Sequence, residues 1–195
     1  DRYQSLDDLA GQWRITRLLA HLALASDDTV AATRHAGELH FLSEFLDEAM
    51  VGYDTHLTLG RVSGDDEEFE RALGHARTPL ETAVARTYLG DNDDAIQLLE
   101  PSATDHAGDR AFVYYSHGVS ANDKSSFERA LAYYRLAEDP RGIADALLRL
   151  AQYAESENRY AEARALARRA STVLTASGDD DRAATVERWL MELAN

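Results

Sequence analysis

The chain has no cysteine, three prolines and one lysine among its 195 residues, and these shortages exclude several classes of protein. Without cysteine it can form neither disulfides nor thiolate metal sites, which fits a reducing cytoplasm. Because there are few prolines and no alternating run rich in Val and Ile, β-sheet is disfavoured. We therefore expect a helical protein.

Long apolar runs are also missing. A membrane-spanning helix needs about 20 consecutive apolar residues, and the best candidate, residues 13–25, is interrupted by Arg14, Arg17 and His21. This stretch predicts an amphipathic helix, and a secretory signal is absent. The chain starts at Asp1 rather than methionine, so we expect a trimmed chain or a piece of a longer protein.

Acidic residues outnumber basic ones by 35 to 20, which gives a formal net charge of −15 at pH 7. This charge disfavours nucleic acid and anionic membranes as partners, because both need a basic surface. Two explanations of the acidity stay open: the composition of a GC-rich genome, and halophilic adaptation to high intracellular salt. The single lysine, Lys124, suits either one.

A two-helix pattern of small residues recurs down the chain and is clearest in two consecutive copies. The first copy has, on its two helices, Tyr114, Gly118 and Ala121, then Ala130, Tyr134 and Ala137. The second has Leu147, Leu150, Ala151 and Ala154, then Ala163, Ala167 and Ala170. Small residues at these spacings let antiparallel helices pack closely, and such pairs must stack on neighbours to bury their apolar faces.

Helix starts are marked by capping residues, which divide the chain into about eleven short helices. Residues 78–81 and 125–128 each read as a capping box, and Asp139-Pro140 places proline directly after a capping aspartate. Four Gly-Asp pairs are predicted to end one helix and start the next, at positions 64–65, 90–91, 108–109 and 178–179. Residues 5–25 and 28–50 read as two longer helices.

The pattern at residues 147–170 resembles the tetratricopeptide repeat, and the preceding unit matches it as well. Weaker matches precede these two, one with Ala83, Gly90, Ala95 and Leu99, the other with Leu59, Gly60 and Ala72. The resemblance implies an all-α fold, a right-handed superhelix of antiparallel helix pairs. We divide this continuous domain into an N-terminal hairpin or degenerate repeat (1–50), repeats (51–177) and a C-terminal capping helix (178–195).

In tetratricopeptide arrays the first helix of each pair lines a concave groove. The resemblance therefore implies a partner-binding surface formed by Leu80, Val84, Tyr88, Phe112, Tyr115, Val119, Asn122, Asp145, Leu148, Gln152 and Glu155. Plain core packing is the competing explanation for the apolar members. The basic groove residues that grip a C-terminal carboxylate in some arrays are not present. An acidic, aromatic-lined groove would instead favour a neutral or basic, partly apolar segment.

Catalytic and metal sites are not expected. His35 and His40 are five residues apart, about 140° around a helix, so they do not face one site with Glu44. We find no phosphate-binding glycine loop and no spacing that singles out a catalytic triad. The sequence predicts neither a cofactor nor a metal, and an enzyme would require a buried cluster around these histidines.

These observations predict a cytoplasmic, non-catalytic scaffold for a protein or peptide partner. The alternative is a sensory or regulatory module of a larger prokaryotic signalling or transcription-regulating protein, whose repeat regions show similar lengthened steps. Self-association into a homo-oligomer through residues 5–50 stays open.

Overall fold

The computed structural model of the chain describes residues 8–100 and 103–193. Within those ranges the regular secondary structure is helical, and the predicted all-α class is confirmed. The eleven helices are α1 Leu9–Ala25, α2 Thr29–Ser43, α3 Glu48–Ser63, α4 Asp66–His75, α5 Pro79–Tyr88, α6 Asn92–Gln97, α7 Ala107–Ala121, α8 Lys124–Leu136, α9 Pro140–Ser156, α10 Tyr160–Ala176 and α11 Asp180–Glu192. In the described part of the chain, none of them has the length and apolar character to cross a membrane.

The chain divides into two compact units, residues 1–91 and 92–195. In the first unit α1 packs on α2, α2 and α1 on α3, α3 on α4, and α4 on α5. In the second, each helix from α6 to α11 packs on the next one along the chain. In each unit, helices that follow one another in the chain are therefore packed against each other.

One turn geometry recurs between consecutive helices. A residue with positive φ ends the first helix, and the following residue starts the next; Asn122 (φ 50°) and Asp123 are an example. The N–H of Asp123 then donates to the carbonyl of Gly118, five residues back, at 3.1 Å. Equivalent bonds join Asp28 to Ala23 at 2.9 Å, and Arg159 to Ala154 at 2.8 Å. This bond satisfies a carbonyl that a helix end would leave without a partner.

Packing beside these turns is close because one helix presents a residue without a bulky side chain. A Cβ on Gly118 would lie 2.8 Å from the ring of Phe127, and a Cβ on Gly60 would lie 2.6 Å from that of Phe69. The α3–α4 and α7–α8 hairpins therefore share a glycine–phenylalanine contact across the turn. Two buried alanines occupy the equivalent positions in two further hairpins, Ala23 with Ala32 in α1–α2 and Ala154 with Ala163 in α9–α10.

Four of the predicted helix starts are confirmed. Thr78 and Glu81 form the capping box of α5, with Pro79 as its first residue. Asp139 caps α9, with Pro140 as its first residue. Gly64 and Gly178 have positive φ and stand before the capping aspartates of α4 and α11.

Three local predictions were wrong. Helix α8 starts at Lys124 rather than after Ser125, because Asp123 accepts from the N–H groups of both Ser125 and Ser126. Gly108-Asp109 does not separate helices, because α7 already starts at Ala107. The helix predicted over 28–50 ends at Ser43, and α3 starts at Glu48. Residues 5–7 of the predicted first helix and 194–195 of the predicted cap lie outside the described residues.

Candidate functional site

Eight of the eleven predicted binding residues lie in the second unit, on α7 and α9 and at the end of α7. Each residue on α7 has a counterpart on α9 that comes 33 positions later. The four pairs are Phe112 with Asp145, Tyr115 with Leu148, Val119 with Gln152, and Asn122 with Glu155. The spacing within each set repeats every three or four residues, which keeps the set on one side of its helix.

A direct side-chain contact joins α7 to α9, although α8 lies between them in the chain. Arg149 Nε donates to Tyr115 Oη at 3.2 Å. The Tyr115 ring also makes edge contacts with Phe127 and Tyr134, at centroid distances of 5.9 and 6.3 Å. Tyr115 is therefore partly a core residue, with its hydroxyl at the surface between the two first helices.

A side-chain contact of the same kind joins α9, the first helix of the next hairpin, to α11. The Arg182 guanidinium pairs with the Asp145 carboxylate, and it also lies 3.7 Å from the capping carboxylate of Asp179. Two of the predicted polar groups are thus engaged by arginines, Asp145 by Arg182 and Gln152 by Arg149, whose Nη1 lies 3.2 Å from Oε1. Within the described ranges, Glu155 has no ion-pair partner.

The apolar members of this face differ in exposure. Val119 is 47% exposed. Leu148 and Tyr115 are partly buried against the core of the second unit. Phe112 is likewise half-buried, and Asn122 ends α7 in the left-handed conformation. Val119 is thus the most accessible apolar side chain of the set.

The remaining three predicted residues lie on α5, in the first unit. Val84 is 4% exposed, so its side chain is a core residue. Tyr88 stacks on Phe69 of α4 with ring centroids 4.6 Å apart. Leu80 is half-buried. These contacts match the competing core-packing explanation more closely than ligand binding.

A serine, a histidine and two aspartates meet at the start of α8. His117 Nδ1 lies 2.8 Å from Ser126 Oγ, and His117 Nε2 lies 3.4 Å from an Asp93 oxygen. The Ser126 hydroxyl, however, donates to Asp123 Oδ2 at 2.7 Å, so its proton is directed away from the histidine. Ser126 is also only 2% exposed, which leaves a substrate no access to Oγ. The arrangement caps a helix and does not resemble an activated nucleophile.

The capping carboxylate Asp123 collects several donors. Burial opposes its charged form, but hydrogen bonds from the hydroxyls and N–H groups of Ser126 and Ser125 outweigh this effect and lower the pKa of Asp123. The negative charge is therefore stable at the N-terminus of α8, where the helix dipole also favours it.

The surroundings of His21 shift its pKa strongly. Burial, followed by the nearby Arg61 and Arg17, lowers its pKa from 6.5 to about 4, against a smaller opposing effect of Asp54. The Thr58 hydroxyl donates to the Asp54 carbonyl at 2.7 Å, so His21 Nε2, at 3.1 Å, is the donor to Thr58 Oγ1. His21 is a neutral structural residue between α1 and α3.

The histidines that the sequence pointed to do not form a buried cluster. His35 Nδ1 pairs with Glu38 at 3.0 Å along α2, while His40 and Glu44 are exposed. The described structure instead brings together Glu48, His56 and His75, each of which offers one ligand atom within 4.8 Å of the others. The His56 and His75 rings are nearly parallel, with centroids 5.4 Å apart.

The sequence analysis missed the cluster of Glu48, His56 and His75 because its members come from two different helices. Glu48, Gly52 and His56 are four residues apart along α3, which places them on one face. Glu68 and His75 are seven apart on α4, which also places them on one face. The two faces become neighbours only through the turn at Gly64. Testing i, i+4 and i+7 spacings over both helices would have found the set.

An apolar stripe on α1 is open to solvent. Leu18 and Leu22 are 60% and 63% exposed, and Ile15 and Leu19 lie beside them at 37% and 40%. The stripe lies within the segment predicted to self-associate. Homo-oligomerisation stays a prediction.

The chain matches no protein-family model. Nor does any curated protein match it.

Proposed function

We propose that the chain is a non-catalytic scaffold built as a tetratricopeptide-like solenoid, and that the α7–α9 face of its second unit binds a segment of a protein partner. The defining residues of this face are Tyr115, Val119, Leu148, Gln152 and Glu155. The observation that supports the proposal is the bond from Arg149 to Tyr115, because it is a direct side-chain contact between the first helices of two successive hairpins.

Stacking of first helices is what a repeat array needs in order to present a continuous surface. The Arg182–Asp145 ion pair between α11 and α9 supports a second step of the same kind. Because the helices already hold Val119 and Leu148 in position, these residues need no further ordering on binding. Most of the conformational entropy lost would be that of the bound segment.

The chemistry of the face suits a short apolar segment that carries positive charge. Val119 and the edge of Leu148 provide apolar contact. Glu155 has no arginine partner in the described structure and can receive a basic side chain. The net charge of −15 favours encounter with basic over acidic segments.

The test is a set of fluorescently labelled peptides in which leucine or phenylalanine alternates with arginine, with glutamate or with serine. Fluorescence anisotropy gives the dissociation constant for each peptide with the wild type, Val119→Asp and Leu136→Asp. Leu136 is a matched control, because it is 59% exposed but lies on the second helix α8. We expect the arginine peptides to bind best, and only Val119→Asp to weaken them, by about tenfold or more.

Equal binding of all three peptide classes, or equal effects of the two substitutions, would contradict the proposal. Both positions are exposed, so neither substitution should unfold the chain. Far-ultraviolet circular dichroism of each variant checks this directly.

A further inference from the structure

We propose that the α3–α4 hairpin of the first unit binds a divalent transition-metal ion, foremost Zn²⁺, through His56, His75 and Glu48. This site is independent of the α7–α9 face. It rests on a cluster of ligand atoms, on a carboxylate that orients one histidine, and on a glycine that makes room for the other.

The ligand atoms are already close to coordination distance. One atom each from Glu48, His56 and His75 lie within 4.8 Å of one another, and His75 Nε2 is 3.2 Å from Glu48 Oε1. Tetrahedral zinc with bonds of about 2.0–2.1 Å places its donors about 3.3 Å apart. The widest separation has to close by up to about 1.5 Å. Glu48, whose side chain is 75% exposed, can move to do so.

Glu68 orients His56 as metal sites require. Its carboxylate lies 2.7 Å from His56 Nδ1, and both side chains are largely buried, at 16% and 15% exposure. Arg71 contacts the other Glu68 oxygen at 2.6 Å and so helps to hold this carboxylate in place. Nδ1 of His56 therefore carries the proton and Nε2 has the lone pair. A carboxylate that holds the second ring nitrogen is the usual partner of a metal-binding histidine.

Gly52 provides the space that His75 occupies. A Cβ at this position would lie 2.8 Å from Cγ and 2.9 Å from Nδ1 of His75. Gly52 is one helical turn from both Glu48 and His56, so the imidazole of His75 lies between two other ligands of the set. Glycine inside a helix is less favourable than alanine, and here the missing side chain admits the ring.

The donor set selects the class of metal. Two imidazoles and one carboxylate suit Zn²⁺, Ni²⁺ or Cu²⁺, whereas Mg²⁺ and Ca²⁺ prefer oxygen donors alone. Three protein ligands leave a fourth tetrahedral position for water. A bound ion would crosslink the start and middle of α3 to the end of α4.

The test is isothermal titration of Zn²⁺ into the full chain in millimolar Mg²⁺, which occupies the many surface carboxylates. We expect one equivalent of Zn²⁺ to bind to the wild type. His56→Gln should abolish this binding, because the amide can still donate to Glu68 but is a poor zinc ligand. Glu68→Gln should weaken it about 10- to 100-fold.

Two further variants separate coordination from ordinary packing. Gly52→Ala removes no ligand, yet its Cβ displaces His75, so we expect Zn²⁺ affinity to fall about tenfold or more. His35→Gln is the matched control, because His35 also pairs with a glutamate at 3.0 Å but lies outside the cluster; its affinity should equal that of the wild type.

Co²⁺ gives a second readout that needs no substitution. The wild type should develop the visible absorption bands of four-coordinate Co²⁺ at one equivalent, and Zn²⁺ should remove them. Absence of both the bands and one-equivalent Zn²⁺ binding would overturn the proposal, as would binding that His35→Gln weakens as much as His56→Gln. Either result would leave the two histidines as hydrogen-bonding partners of Glu48 and Glu68.

Discussion

Arg149 Nε donates a hydrogen bond to Tyr115 Oη at 3.2 Å and so joins α9 to α7, the first helices of two successive hairpins. The residues are 34 positions apart, close to the step of the small-residue pattern. The second unit thus has a specific polar contact between α7 and α9 in addition to its apolar core.

Replacing Tyr115 by phenylalanine removes this bond and keeps the ring. Because Arg149 is exposed, we expect a loss of about 0.5–1 kcal/mol in the free energy of unfolding. Tyr160→Phe is the control, since its hydroxyl bonds only to the local Asn158 at 2.9 Å, and it should cost less than about 0.5 kcal/mol. Urea unfolding followed by circular dichroism compares them. Equal losses would show that the bond between the helices adds no stability.

Because of the glycine–phenylalanine contact, replacing glycine by alanine should have opposite effects on stability at two positions of the first unit. Gly60→Ala places a methyl group 2.6 Å from the Phe69 ring and should destabilise the unit by about 1–3 kcal/mol. Gly37 lies inside α2 with no atom near its would-be Cβ, so Gly37→Ala should stabilise by about 0.5–1 kcal/mol. Urea unfolding reported by Trp13 fluorescence, in a Trp189→Phe background, measures both. A gain of stability in Gly60→Ala would refute the contact.

Much of this architecture is predictable from the sequence. Thr78 and Asp139 mark helix starts by local chemistry, since the side chain of each bonds to a residue three positions along the chain. Gly60 and Ala72, in contrast, gave a poor repeat match, although Gly60 contacts Phe69 in the same way that Gly118 contacts Phe127. The contact depends on both facing residues together, and a pattern that scores one position at a time does not detect it.

The candidate sites were less predictable than the fold. Val84 and Tyr115 have the spacing of groove residues, yet the core buries one and half-buries the other. The pairing of Asp145 with Arg182 spans 37 residues, and its partner comes from a helix predicted only as a cap. The His56–His75 cluster depends on how two helix faces meet. In each case the decisive factor is a tertiary contact, which local periodicity does not specify.

His21 predicts a loss of stability in mild acid. Its folded pKa of about 4 lies below the ordinary 6.5, so on acidification the unfolded chain binds a proton before the folded one does. The contribution is fully present above pH 6.5 and is lost as the pH falls towards 4. Because the ring is partly open to solvent, we expect a loss of about 1–2 kcal/mol.

His21→Gln is the comparison, because its neutral amide can still donate to Thr58. The variant should lack this part of the pH dependence in urea unfolding between pH 7 and pH 4. The same slope in both proteins would mean that His21 is protonated as readily in the folded chain as in the unfolded one.

The buried contacts of Arg110 predict a large loss of stability on replacement by lysine, although lysine keeps the positive charge. It is 6% exposed, and its guanidinium donates to the Asp105 carbonyl at 2.9 Å, the Asp105 carboxylate at 3.0 Å and the Glu100 carbonyl at 3.3 Å. Lysine cannot reproduce this fork, so Arg110→Lys should cost about 2–3 kcal/mol. Thermal and urea unfolding of the second unit measure the loss.

Arg129→Lys is the matched control in the same unit. Arg129 is exposed and lies over the Tyr114 ring, 5.4 Å from its centroid, so the exchange should cost less than about 1 kcal/mol. If the two Arg→Lys substitutions cost the same, the hydrogen bonds from Arg110 to Glu100 and Asp105 would not be needed for stability.

The most direct test of the scaffold proposal is an NMR titration of the labelled chain with the arginine–leucine peptide. The amides that shift should cluster on α7 and α9, around Val119, Leu148 and Gln152, and the same peptide should cause no such shifts in Val119→Asp. Shifts centred on α8 or α10, or none at saturating peptide, would contradict a binding face on the first helices.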